Sequence, residues 1–145
     1  MKKLKALSFP ADIDNLIPHH GSMRFVDKII YLADREAHVS FKIPENSPFI
    51  DKNGFIDEVV FLEMIAQAMA TYAGVTGNST PEKPLKGFLL GCKNFEVLGK
   101  AKSGDVLIIK GREQAAFGEF SIIDGSVYKD GALLASGEIK IWEES

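Results

Sequence analysis

The chain has 145 residues, 46% hydrophobic and 26% charged, with a formal net charge of −3. That length predicts one domain spanning 1–145, and that charge gives no reason to expect a nucleic-acid partner or an acidic membrane. Cys92 is the only cysteine, which excludes an internal disulfide and a cysteine metal cluster. A lone thiol fits a reducing compartment, and the basic start MKKLKALSFPADID lacks an apolar stretch of signal-peptide length. A cytoplasmic location is therefore expected.

Residues 1–10 read as a flexible arm. In ADIDNLIP, at 11–18, Asp12 is a capping residue and Ile13, Leu16 and Ile17 form an apolar set, so one short helical turn is expected, ended by Pro18. His19, His20, Gly21 and Ser22 form a loop. A strand is expected over 23–32 and a turn at Ala33-Asp34. A second strand over 36–43 alternates cleanly, with Ala37, Val39, Phe41 and Ile43 on one face and Glu36, His38, Ser40 and Lys42 on the other. Pro48, Asn53 and Gly54 mark 44–55 as a loop.

IDEVVFLEMIAQAMATYAG, at 56–74, predicts the central helix, with Asp57 as N-cap and Gly74 as stop. It is apolar nearly all the way round, which predicts burial on every side. Glu63 and Gln67 break that pattern. Four residues apart, they share a face. A carboxylate is rarely buried without a partner or a task, and desolvation is expected to raise its pKa and suit it to general acid work. The alternative is a structural Glu–Gln pair, or a strip of helix facing water.

After a polar loop over 75–84, long strands are expected over 85–98, 105–114, 117–128 and 132–142. The turns between them fall at 99–104, at Ala115-Ala116 and at Asp130-Gly131. Short connections make these four an antiparallel run. One helix that is apolar all round needs more cover than a flat sheet face supplies. The chain therefore reads as α+β, a strongly curved antiparallel sheet wrapped around one central helix.

IPHHGSMRFVD, at 17–27, resembles the P-H segment of the 3-hydroxyacyl-[acyl carrier protein] dehydratases, and FLEMIAQAMA, at 61–70, resembles their central helix with its Glu and Gln. KGFLLGCKNFEVLGKAKSGDVL resembles the family's long strand, loop and Gly-Asp strand start. The resemblance covers almost the whole chain. It implies a hot-dog fold and a site shared between two subunits, with His19 as catalytic His, Glu63 as catalytic Glu and Gln67 as polar helper. The run G-H-F-P-G is absent, the loop before the helix is short, and Asp57-Glu58 stand where the family has Pro-Gly. In these respects the chain is similar to the divergent aryl-polyene-type dehydratases.

The implied reaction is dehydration of a 3-hydroxyacyl thioester to the trans-2-enoyl thioester in fatty-acid or polyene-type biosynthesis, with acyl carrier protein or coenzyme A as the carrier. His19 would act as base and Glu63 as acid. Backbone N–H groups of Glu58 and Val59, at the helix N-terminus, would hold the enolate oxygen. Gln67 would fix the Glu63 carboxyl through its amide. Phe49, Phe55 and Phe88 would line the acyl site, although each also suits a plain core. Carrier docking has Arg24, Lys28, Lys86, Lys93, Lys100 and Lys102 as candidates. A homodimer or larger assembly is expected, or a heterodimer with a related hot-dog subunit. No cofactor is implied. No metal is assigned, because His19-His20 lacks a third ligand at a telling spacing. His38 reads as solvated, and Cys92 as a buried small hydrophobe. An acyl thioesterase and a non-catalytic subunit of a heteromeric dehydratase are the alternatives.

Overall fold

Tight turns lay out most of the sheet. In the computed structural model, which describes residues 9–13, 17, 20–76 and 86–144 with the side chains of 86–88 and 144 set aside, strands β2 (Lys28–Ala33) and β3 (Glu36–Lys42) are joined by Asp34 and Arg35. Arg35 has φ 63°. Strands β5 (Val106–Phe117) and β6 (Phe120–Lys129) turn at Gly118, φ 60°, and Glu119. Strand β7 (Ala132–Glu144) follows β6 through Asp130 and Gly131, at φ 49° and 80°. Positive φ in such turns matches the twist of the flanking strands. The turn expected at Ala115-Ala116 is displaced. Those residues stay in β5, opposite Ile122 and Ser121, because Gly118 takes the left-handed conformation more cheaply.

Three other expectations are corrected near the N-terminus. Ala11 and Asp12 form strand β1 (Ala11–Asp12), paired with Ile29 and Lys28, not the start of a helical turn. The Ile13 N–H continues that pairing to the Asp27 carbonyl at 3.1 Å, while residues 14–16 and 18 of the expected turn lie outside the described residues. The strand expected from Met23 begins only at Lys28, since Gly21–Met23 is a single 3-10 turn. His38 is half-buried rather than solvated: its Nε2 lies 2.7 Å from Glu36 Oε2, and its ring packs on Tyr31 with centroids 4.6 Å apart.

The sheet order is β1-β2-β3-β5-β6-β7-β4, antiparallel throughout. Strand β4 (Lys86–Val97) therefore does not pair with β5 as a simple run of hairpins requires; it lies at the far edge against β7. The connection from β4 to β5 crosses the end of the molecule instead of turning back. Leu98 N–H bonds the Leu134 carbonyl at 2.7 Å, Ile56 N–H bonds the Ala101 carbonyl at 2.8 Å, and Ile43 N–H bonds the Asp105 carbonyl at 2.9 Å. Ala101 is fully buried in that crossing. Cys92, on the edge strand, is exposed rather than buried.

Helix α1 spans Val60–Thr76. Gly74 does not stop it. Val75 is buried beyond that glycine, and the Thr76 hydroxyl bonds the Tyr72 carbonyl at 3.0 Å, so packing outweighs the modest helical penalty of glycine. The helix lies against β5 and β6, where Gly111 and Gly125 are paired neighbours. A Cβ at Gly111 would stand 3.0 Å from Met69 Sδ, and one at Gly125 would run into the Ile65 side chain. These glycines let the helix sink into the concave face of the sheet. Val60, Phe61, Met64, Ile65 and Ala68 join Ile29, Val39, Leu107, Ile109, Ile123 and Ile139 in one core. Burial is not uniform round the helix, as Glu63, Ala66 and Ala70 share a half-exposed face. One curved antiparallel sheet around one central helix is the α+β hot-dog architecture. Among the described residues no helix is long and apolar enough to cross a membrane.

Candidate active site at the helix N-terminus

The loop before α1 is built by Asp51. Its Oδ1 accepts the N–H groups of Asn53 at 2.8 Å and Phe55 at 3.0 Å, and its own N–H bonds the Phe55 carbonyl at 2.8 Å. Gly54, at φ 87°, completes the turn. Phe55 then bridges to Lys102, and Ile50 to Ile56. The loop is thus tied to the crossing connection and held at the head of the helix. Between them opens a pocket of about 400 Å³, lined by Pro48, Phe49, Ile50, Asp51, Phe55 and Ile56 with Asp57, Glu58 and Lys100. Lys100 Nζ stands 5.1 Å from the Phe55 ring centroid. The expected site residues Phe49, Phe55 and Glu58 therefore meet in one place. Phe88 pairs with Trp142 in the backbone of β4, and its side chain lies outside the described residues.

Free N–H groups at a helix start are the donors an oxyanion needs, and here their use can be assigned singly. Val60 N–H bonds the Asp57 carbonyl at 3.0 Å. Val59 N–H bonds Asp57 Oδ1 at 3.0 Å. The Val59 N–H, expected as an oxyanion donor, is thus taken up by Asp57 in this structure: a short carboxylate at the cap reaches back to the second N–H, as such residues do. Glu58 N–H has no partner among the described residues, and Glu58 lines the pocket.

Glu63 lies one turn into the helix. Its neighbours Leu62 and Met64 are buried while Glu63 is half-buried, and no cation pairs with it among the described residues. Gln67 is only 1% exposed. Its amide does not hold Glu63: Oε1 accepts the Phe25 N–H at 2.7 Å, and Nε2 donates to the Met23 carbonyl at 2.8 Å. The role expected for it, orienting the Glu63 carboxyl, is corrected accordingly. His19 lies outside the described residues. His20 is exposed and extended, just before the turn Gly21–Met23.

Residues that sequence reasoning left out complete the electrostatics. Burial pushes the Asp105 carboxyl up, but the Lys102 N–H at 2.9 Å and the Lys129 ammonium at 3.0 Å outweigh it and hold it below its ordinary value. At the other end of the helix, Tyr72 Oη accepts the Arg35 N–H at 2.9 Å and lies 3.5 Å from Asp34 Oδ1. A second cleft of about 470 Å³ opens there, lined by Asp34, Arg35, Met69, Tyr72, Ala73, Glu113, Ile123 and Glu143. Burial, and then the charge of Glu113, raise the Glu143 carboxyl above its ordinary value. Nothing in the spacing of Asp34, Glu113 and Glu143 marks them as neighbours, since pairing across strands brings them together.

Known proteins share this architecture. The dehydratase heterocomplex ApeI:P from Xenorhabdus doucetiae superposes with a TM-score of 0.80 at 22% identity, over 96% of this chain and 93% of that one. A hypothetical thioesterase with coenzyme A from Streptococcus pneumoniae superposes at 0.63, with 18% identity over 81% and 87% of the two chains. In sequence, the 3-hydroxyacyl-[acyl-carrier-protein] dehydratase FabZ of Streptococcus thermophilus is 26% identical over 88% of this chain and 91% of its own length. FabZ of Chlamydia muridarum is 28% identical over 88% of this chain and 87% of its own. The family model described as ApeP dehydratase matches residues 11–145, and on that match this chain belongs to the ApeP-like dehydratase family and is a dehydratase-type lyase.

Proposed function

We propose that this chain, a single hot-dog domain over 1–145 acting in the cytoplasm, dehydrates a 3-hydroxyacyl thioester to the trans-2-enoyl thioester, with acyl carrier protein or coenzyme A as the carrier. The observation that carries the reading is Glu63. It is a half-buried carboxylate with buried neighbours, on the central helix of a hot-dog fold, in the turn next to a pocket with an open N–H. The FabZ relatives, named for dehydration of 3-hydroxyacyl carrier-protein substrates, support it.

In this reading the imidazole of His19 takes the proton from the carbon next to the thioester carbonyl. Charge moves to the carbonyl oxygen, which the Glu58 N–H stabilises, aided by the positive end of the helix dipole. The bond to the 3-hydroxyl then breaks, Glu63 supplies the proton that lets it leave as water, and the double bond forms. Proton exchange with solvent restores both residues. Phe49 and Phe55 flank the acyl group, with Phe88 as the further candidate.

The outer edge of β4 supports assembly with another hot-dog subunit, identical or related. Leu89 and Leu90 are 38% and 53% exposed on it, and an open apolar edge is a template for pairing. ApeI:P is itself a heterocomplex. Asp57 favours a second reading, a subunit that completes another chain's site, because its carboxylate already occupies one helix N–H. An assay on the chain alone, and again with a related hot-dog subunit, tests both. Turnover of 3-hydroxyacyl thioester, abolished by Glu63→Gln in this chain, is the expected result. Turnover by the mixture that survives E63Q would overturn it in favour of the second reading, and hydrolysis of unsubstituted acyl thioesters would favour a thioesterase.

A further inference from the structure

An amide inside an apolar core is costly to place and rigid once both its ends are bonded. Both ends of the Gln67 amide are held by main chain, at Phe25 N–H and the Met23 carbonyl, so its orientation is fixed. Phe25 is therefore docked on the helix by its backbone. Its ring, 2% exposed, stands edge-on to Phe49 with centroids 5.3 Å apart and to Phe41 at 6.0 Å. Phe49 in turn forms part of the pocket wall at the head of the helix. One line of contact thus runs from Gln67 through the Phe25 backbone and ring to Phe49. Edge-to-face rings keep their arrangement only while both are held.

We propose that Gln67 is a positioning residue for the acyl-binding wall, acting through Phe25 on Phe49, and not a proton-transfer partner of Glu63. The proposal rests on the acyl-thioester reading above and says which property of the site Gln67 controls: affinity for the acyl group rather than the rate of proton transfer. Loss of the amide frees Phe25, and Phe49 loses the ring that backs it.

The test is a binding titration that involves no turnover. An unsubstituted medium-chain acyl-coenzyme A is titrated into the full-length protein in its native assembly, as wild type, Gln67→Met, Phe49→Ala and the double variant. Each single change is expected to weaken binding about tenfold. The double variant should bind no worse than about twofold below Phe49→Ala alone, because both changes act on one element. Phe25→Leu keeps the backbone bonds to Gln67 and removes the ring, so it should reproduce the loss even if Q67M folds poorly. With 3-hydroxyacyl substrate, KM should rise while kcat per folded molecule and the pH–rate profile stay as in the wild type. Unchanged binding in folded Q67M, fully additive losses, or a fall in kcat with a shifted pH profile would each overturn the proposal. A wild-type protein that binds no acyl thioester would instead bring down the functional reading on which it rests.

Discussion

The two ends of helix α1 share a sheet and a core, and each pocket carries three carboxylates and one cation, but the helix dipole has opposite sign at the two ends. At the N-terminal end the Glu58 N–H has no partner among the described residues, and the pocket sets Phe49, Ile50, Phe55 and Ile56 beside Asp51, Asp57, Glu58 and Lys100. At the C-terminal end, Asp34, Glu113 and Glu143 crowd the negative end of the helix dipole, with Arg35 as the counter-charge in the lining. Burial and the neighbouring carboxylate already disfavour one charge there, on Glu143. A reaction that builds negative charge on a thioester oxygen is therefore helped at the first end and hindered at the second. The dipole and the open Glu58 N–H favour the N-terminal end for the proposed chemistry, independent of any motif.

The strongest way to break this contrast is Glu63→Gln. The shape and hydrogen-bonding capacity remain, while the proton that Glu63 would give is gone. General acid catalysis is worth about 10²–10⁴-fold, so turnover should fall by that much or more, with the melting temperature held or raised. An active variant with lowered stability would make Glu63 an anchor of the helix and remove the acid from the proposed site. The next largest effect lies between the ends. Gly125→Ala puts a methyl group into the Ile65 side chain, so the helix must lift from β6. Overpacking of this kind costs about 1–3 kcal/mol, readable as a lowered denaturant midpoint. If the helix were loosely seated, that midpoint would stay put.

Asp57→Ala sharpens the comparison at the first end. It removes the cap from Val59 N–H, which should cost about 1 kcal/mol of stability. It also frees a second donor beside Glu58 and removes a negative charge from the pocket rim. Stability and kcat should therefore move in opposite directions, kcat holding or rising while the urea midpoint drops. A parallel fall in both would mean that the Asp57 carboxylate serves the site as it stands.

The two ends were not equally legible from the residues. The apolar run of α1, the alternation of β3 and the Asp130-Gly131 turn are local signals, and all three correspond to elements seen. The position of β4 was not legible, because pairing with β7 instead of β5 is decided by the crossing at Leu98 and Ala101. Ala11 and Asp12 look like a helix start until Asp27, far along the chain, supplies the acceptor for Ile13. At the candidate site, Asp57, Glu58 and Glu63 stand out because polar residues interrupt an apolar helix. What Gln67 does was hidden, since its partners Met23 and Phe25 are reached only when the chain folds back on the helix. The C-terminal cleft was invisible for the same reason, its carboxylates coming from separate strands and turns.

The smallest expected effect is one of pH, and it sets Glu143 against Asp105. Burial, then Glu113, raise the Glu143 carboxyl above the ordinary 4.5, so between that value and its higher folded one the native state holds the extra proton. Stability from this group is thus present at low pH and falls as pH rises through the window, because the unfolded chain releases its proton first. Asp105 has the opposite sign. Its carboxyl is held below the ordinary 3.8 by the Lys102 N–H and Lys129, against the pull of burial. Its contribution is complete above 3.8 and is lost as pH falls through the lower folded value. Glu143→Gln should therefore stabilise the protein near neutral pH and make no difference once both states are protonated. Asp105→Asn should destabilise it near neutral pH, and that loss should fade in acid. Urea midpoints of both variants, taken at about pH 7 and again well into acid, check the pair. If Glu143→Gln lowered stability at neutral pH, the carboxylate at the C-terminal end would have a favourable partner after all, and the electrostatic contrast between the two ends of the helix would lose its clearest support.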